Sequence, residues 1–127
     1  MEQQANTTKE VSLYDKLGGE VGLRKIVTDI LDRNSNNPQI SHYFRNVDMN
    51  ILNQHVFEFF SMGIGGPHQY TGKDMLTAHT GLHINEKDFD IANDDVVKAL
   101  NDNKVPEAEQ KEIIGILESL REQVVNR

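Results

Sequence analysis

Apolar residues recur at spacings of three and four along almost the whole chain, the signature of helices with one buried face. Leu13, Leu17, Val21, Leu23, Ile26, Val27, Ile30 and Leu31 follow this spacing and are interrupted by Gly18-Gly19. That break predicts two helices meeting at a sharp corner. The polar run Asn34 to Pro38 ends the second of them. Asp48 or Asn50 can cap a third helix carrying Leu52, Val56, Phe59, Phe60 and Met62 on its apolar side. Glycines and a proline punctuate Gly63 to Gly72, which predicts a loop, and a short helical stretch, Met75-Leu-Thr-Ala-His79, follows. Phe89, Ile91 or Ala92, Val96, Ala99 and Leu100 form the stripe of a further helix closed by residues 101–104. Pro106 suits the first position of a last helix, with Glu107 and Glu109 at the positive end of its dipole. Ile113, Ile116, Leu117, Leu120 and Val124 supply its buried face. No period-two alternation or internal repeat stands out, so the expected fold is all-α. Residues 1–11 are polar and read as an N-terminal extension, a tail or an extra helical turn; residues 12–127 read as one domain.

Composition narrows the function more than the fold. A 127-residue chain suits a single domain that buries roughly two-thirds of its unfolded surface. Thirteen basic residues against 20 acidic give a net charge of −7, which repels phosphate backbones and makes nucleic acid an unexpected partner. There is no cysteine, which excludes disulfides, thiolate ligation and Cys-x-x-Cys-His haem attachment. No apolar run approaches the ~18 residues of a membrane span and the N-terminus lacks a signal-peptide pattern, so a soluble cytoplasmic protein is expected.

The residue with the most chemistry is His79. On a short helix with apolar neighbours, a neutral imidazole could ligate a haem iron, its basicity tuned through the other ring nitrogen. A satisfied core histidine is the competing reading, and the residues around it decide between them. Leu13-Tyr14-Asp15-Lys16-Leu17-Gly18-Gly19, the pair Tyr43-Phe44, Phe59-Phe60 followed by Gly65-Gly66-Pro67, Tyr70-Thr71-Gly72 and finally Met75-Leu-Thr-Ala-His79 occur in that order. Together they resemble the group I truncated haemoglobins, from about Ser12 to the C-terminus. The resemblance implies a two-over-two helical sandwich around haem, with His79 as proximal iron ligand. It also implies diatomic gas ligands (dioxygen, carbon monoxide or nitric oxide) and, in some members, nitric oxide dioxygenation or redox work with an external reductase.

The resemblance also implies the rest of the pocket. Phe44, Phe59, Met75, Leu82 and Phe89 would pack on the macrocycle, and Lys73, Tyr70, Arg45 and Asn46 are candidates for its propionates. On the distal side Leu31 falls where many relatives carry a tyrosine that donates to dioxygen, and Leu52 and Val56 add no donor. An apolar pocket forgoes a hydrogen bond worth roughly 1 kcal/mol. His55 falls where some members place a histidine that binds the iron's sixth site, giving a bis-histidyl haem; the competing reading is a histidine at the haem edge. Gln54 is the only other nearby donor. His83, four residues after His79, is a further candidate near a propionate, while His42 and His68 read as loop or rim residues. Some relatives bond the haem covalently through a late histidine; none follows His83 here, so noncovalent haem b is expected. The residues therefore favour a redox or nitric oxide-handling role over oxygen storage. Two alternatives are a plain oxygen-binding globin and a haem-free helical interaction or sensor module.

Overall fold

The computed structural model describes residues 11–127, so the expected extension lies outside the described residues except for Val11. Among the described residues seven α-helices follow in order: α1 (Leu13–Lys16), α2 (Gly19–Asn36), α3 (Met49–Gly63), α4 (Met75–His79), α5 (Glu86–Asp102), α6 (Glu107–Glu118) and α7 (Arg121–Val124). A 3-10 turn, Ser41–Phe44, joins α2 to α3. Helix α2 packs on both α3 and α5, and α5 packs on α6, so the long helices form two stacked pairs. Among the described residues the only β-type pairing is an isolated bridge between Ile84 and Val125.

The corner between α1 and α2 is built as the two glycines predict. Gly18 and Gly19 have φ of 99° and 66°, a region that costs other residues strain. Gly22 then lets the helices approach closely, because a Cβ there would lie 2.0 Å from the Leu17 carbonyl oxygen. Gly22→Ala is expected to lower stability by about 1–3 kcal/mol through this overpacking, read as a lower midpoint in thermal or urea denaturation.

One shared core holds the long helices. Leu23, Val27, Phe57, Ala99 and Leu100 are almost completely buried, and a side chain such as Phe57 contributes roughly 1.5–3 kcal/mol by leaving water. The apolar face read for α3 needs correction here. Met62 is 46% exposed, whereas Phe57, absent from that stripe, is fully buried. At 100° per residue, α3 has two buried sides: Phe57, Phe60 and the small polar Ser61 turn toward the core, and Leu52, Val56 and Phe59 toward a cavity that Phe60 also edges. A single-stripe reading merges the two.

Cap chemistry settles the helix ends. The Asp48 carboxylate accepts from the Asn50 and Ile51 amides, so Asp48 caps α3. Pro106 is the N-cap of α6, with ψ of 153°, one position ahead of the expected one. The last helix is also not continuous. It breaks at Ser119–Leu120 before α7, whose start is fixed by Arg121 donating to Glu86 (2.5 Å), Asp90 (2.6 Å) and Glu118 (2.8 Å).

Candidate functional site

Between the helix pairs lies an apolar cavity of about 600 Å³, within the ~300–1,000 Å³ range of small-molecule and cofactor sites. Most residues assigned to the pocket from sequence line it: Leu31 from α2, Phe44 from the 3-10 turn, Leu52, His55, Val56 and Phe59 from α3, Tyr70 and Lys73 from the loop, Met75 and His79 from α4, then Leu82 and Phe89.

His83 does not. It is exposed, lies outside the cavity lining and adopts φ of 53°. Because α4 ends at His79, the two histidines do not share a helix face, which removes the geometry for joint chelation. Among the described residues no cluster of three metal-ligating side chains occurs. Arg45 and Asn46 also lie outside the lining, as do His42 and His68. His42 stacks on Tyr43 at 4.1 Å. His68 lies in the loop, the first of its two readings, and not at the rim: its Nδ1 lies 2.8 Å from the Ser61 hydroxyl and its ring 4.7 Å from Phe57, on the core side of α3.

His79 is prepared for a ligand by its own helix. Its Nδ1 lies 2.7 Å from the Met75 carbonyl oxygen. A carbonyl only accepts, so Nδ1 carries the proton and Nε2 keeps its lone pair. This hydrogen bond orients the ring and raises the basicity of Nε2, the usual second partner of a metal-binding histidine.

The approach to α4 is anchored through α3. Glu58 accepts from the Thr71 amide (2.9 Å), the Thr71 hydroxyl (2.7 Å) and the Gln54 side chain (3.0 Å). The Gln54 hydrogen bond, followed by those from Thr71, lowers the Glu58 pKa to about 2. The Tyr70 hydroxyl donates to the Lys73 carbonyl, so it is already committed within the loop.

On the distal side, Leu31, Leu52 and Val56 present only hydrocarbon to the cavity. Gln54 is unable to substitute, because it is exposed, donates to Glu58 and accepts from Arg24 at 3.1 Å. His55 is half-buried in the lining, with its ring 6.1 Å from Tyr70 in an edge-on arrangement.

Sequence reading missed several polar lining residues. The Tyr43 hydroxyl donates to Asp88 at 2.6 Å, and burial together with this carboxylate pushes its pKa up to about 12. Asn34 donates to the buried Asp95 at 3.0 Å. Asn93 lines the cavity, and its Nδ2 is the buried side-chain polar atom left without a partner among the described residues. Tyr43 stands in the Tyr43-Phe44 pair, but its tie to Asp88, like the placing of Asn34 and Asn93, is found only by knowing how α2, the 3-10 turn and α5 meet.

A helical fold that encloses an apolar cavity and presents into it a histidine with its Nδ1 engaged is a globin arrangement, and the bacterial-like globin family matches residues 12–126. Within that class the chain belongs to the group I truncated haemoglobins. It is 33% identical to a group 1 truncated haemoglobin of Mycolicibacterium paratuberculosis, over 89% of this chain and 83% of that protein. The crystal structure of the Tetrahymena pyriformis truncated haemoglobin in its Fe(III) form superposes with a TM-score of 0.87 at 28% identity, covering 91% of this chain and 99% of that one. A 2/2 haemoglobin from Synechococcus, in the cyanomet state with covalently attached haem, has a TM-score of 0.85 at 26% identity over 91% and 99% of the two chains. Membership in this family implies haem binding and diatomic gas ligands. No helix among the described residues is long and apolar enough to cross a membrane.

Proposed function

We propose that the cavity holds haem b noncovalently, with His79 as proximal ligand and His55 as the second axial ligand, in a protein that handles nitric oxide or electrons rather than storing oxygen. The observation that carries this reading is the Nδ1 hydrogen bond of His79 to the Met75 carbonyl, which leaves Nε2 free in a cavity that His55 also lines. Haem bound there would supply a redox-active iron. Phe44, Phe59, Met75, Leu82 and Phe89 would exclude water from it, and Lys73 would offer a cation to the propionates. Noncovalent attachment is supported by the sequence, since no histidine follows His83 and His83 is exposed away from the lining. Turnover in a redox or dioxygenase role requires electrons from an external reductase.

Absorption spectra of the ferric and ferrous protein after haem reconstitution test the reading. A Soret band with low-spin features in both states is expected. Protein that stays colourless would establish the haem-free helical module instead, and high-spin spectra would establish a plain gas-binding globin.

The apolar distal side leads to a separate expectation. Leu31→Tyr in a His55→Leu background restores a donor on α2 and is expected to slow dioxygen dissociation several-fold, corresponding to a hydrogen bond of ~1 kcal/mol. Stopped-flow dissociation rates measure it, and unchanged or faster loss would mean that Leu31 does not face the ligand.

A further inference from the structure

The helix that carries His79 has little local support of its own. α4 has five residues, none of them buried, and no side-chain hydrogen bond at its N-cap. An isolated helix of this length does not persist in water, so its position must come from tertiary contacts. Its main helix neighbour is α7. Beyond α7 the chain returns to the segment that leaves His79. The Gly81 amide donates to the Arg127 carbonyl at 3.1 Å, the Asn126 amide donates to the Ile84 carbonyl at 2.7 Å, and Ile84 pairs with Val125. Phe89, Val124 and Val125 form a buried cluster separate from the main core, with Ile84 and Leu120 packed on it. The Arg127 side chain donates twice to the Glu122 carbonyl (2.6 and 2.8 Å), which fixes the returning segment to α7.

We infer that residues 124–127 are a positioning element of the haem site, a backbone staple that holds the 80–84 segment and thereby sets where His79 stands. This rests on the haem reading for its consequence, though the staple itself is independent of any cofactor. Val125 and Asn126 are its central residues. Asn126 has φ of 61°, in the left-handed region that asparagine tolerates better than most residues. Glycine at this position keeps both that conformation and the donor, whereas proline abolishes both.

The test compares Asn126→Pro with Asn126→Gly in the full chain. In the ferrous protein carrying His55→Leu, the iron–histidine stretching band in resonance Raman reports the proximal geometry. Asn126→Pro is expected to shift or broaden this band and to speed haem loss to a scavenging apoglobin about tenfold, in line with lost outer-shell support of a metal ligand. Asn126→Gly is expected to match the parent in both. Amide hydrogen exchange on the haem-free proteins provides a second readout, with faster exchange over residues 75–84 in the proline variant alone. A proline variant with the parent's band, haem-loss rate and exchange pattern would overturn the inference. If that variant fails to fold, Val125→Ala replaces it: several-fold faster haem loss supports the staple and an unchanged rate overturns it. A wild-type protein without a Soret band would overturn the haem reading alone, and the exchange comparison would then decide the staple.

Discussion

His79→Ala is expected to abolish stable haem retention, while His42→Ala and His68→Ala leave the spectrum unchanged. Only His79 combines a place in the cavity lining with an Nδ1 already donating to a carbonyl. Loss of an outer-shell partner of a metal-bound histidine typically costs ~10–100-fold in affinity. Removal of the ligand itself must therefore exceed that range. The Soret and visible spectra after reconstitution, together with the rate of haem transfer to a scavenging apoglobin, measure the effect. His68→Ala separates fold from function, since it breaks the contact with Ser61 and exposes the edge of Phe57 without touching the cavity. A normal spectrum and normal retention in His79→Ala would sink the proximal assignment.

His55→Leu is expected to convert the ferric haem from low-spin to a high-spin or water-ligated form and to speed carbon monoxide binding. While an imidazole occupies the sixth site, an exogenous ligand binds only to the fraction of molecules in which it has swung away. If that open fraction is about 1%, removing His55 accelerates binding by about 100-fold. Leu31 and Val56 beside it offer no competing donor and leave room for the ring. Acid should produce the same open form, because a protonated imidazole has no lone pair for a metal. The loop anchor does not confuse this titration. The Glu58 pKa is depressed to about 2, so the stability it contributes is fully present above the usual carboxylate range and fades only as pH falls toward 2. Flash photolysis or stopped-flow carbon monoxide binding to the wild type and to His55→Leu checks the sixth ligand, and a wild-type spectrum that is already high-spin and indifferent to His55→Leu would return His55 to the haem edge.

Where the physics is local, the sequence alone was sufficient. The spacing of Leu23, Ile26, Val27, Ile30 and Leu31 predicts the buried face of α2, although Val21, read into the same stripe, is 82% exposed, and Gly18-Gly19 predicts its corner, because helix periodicity and positive φ depend on near neighbours. The ordered motifs from Leu13 to His79 placed the cavity-lining residues, since a family pattern preserves separations along one chain. Tertiary structure decided what near neighbours do not encode. It put Phe57 in the core and Met62 in solvent, because α3 is flanked by the core on one side and the cavity on the other. It removed His83 from the site, because α4 stops at His79 and the chain turns at Gly81. Finally, it joined Tyr43 to Asp88, 45 residues apart, and Gly81 to Arg127, 46 apart by their numbering. Such pairs leave no periodicity in the chain, since their energy is realised only when distant elements are already packed together.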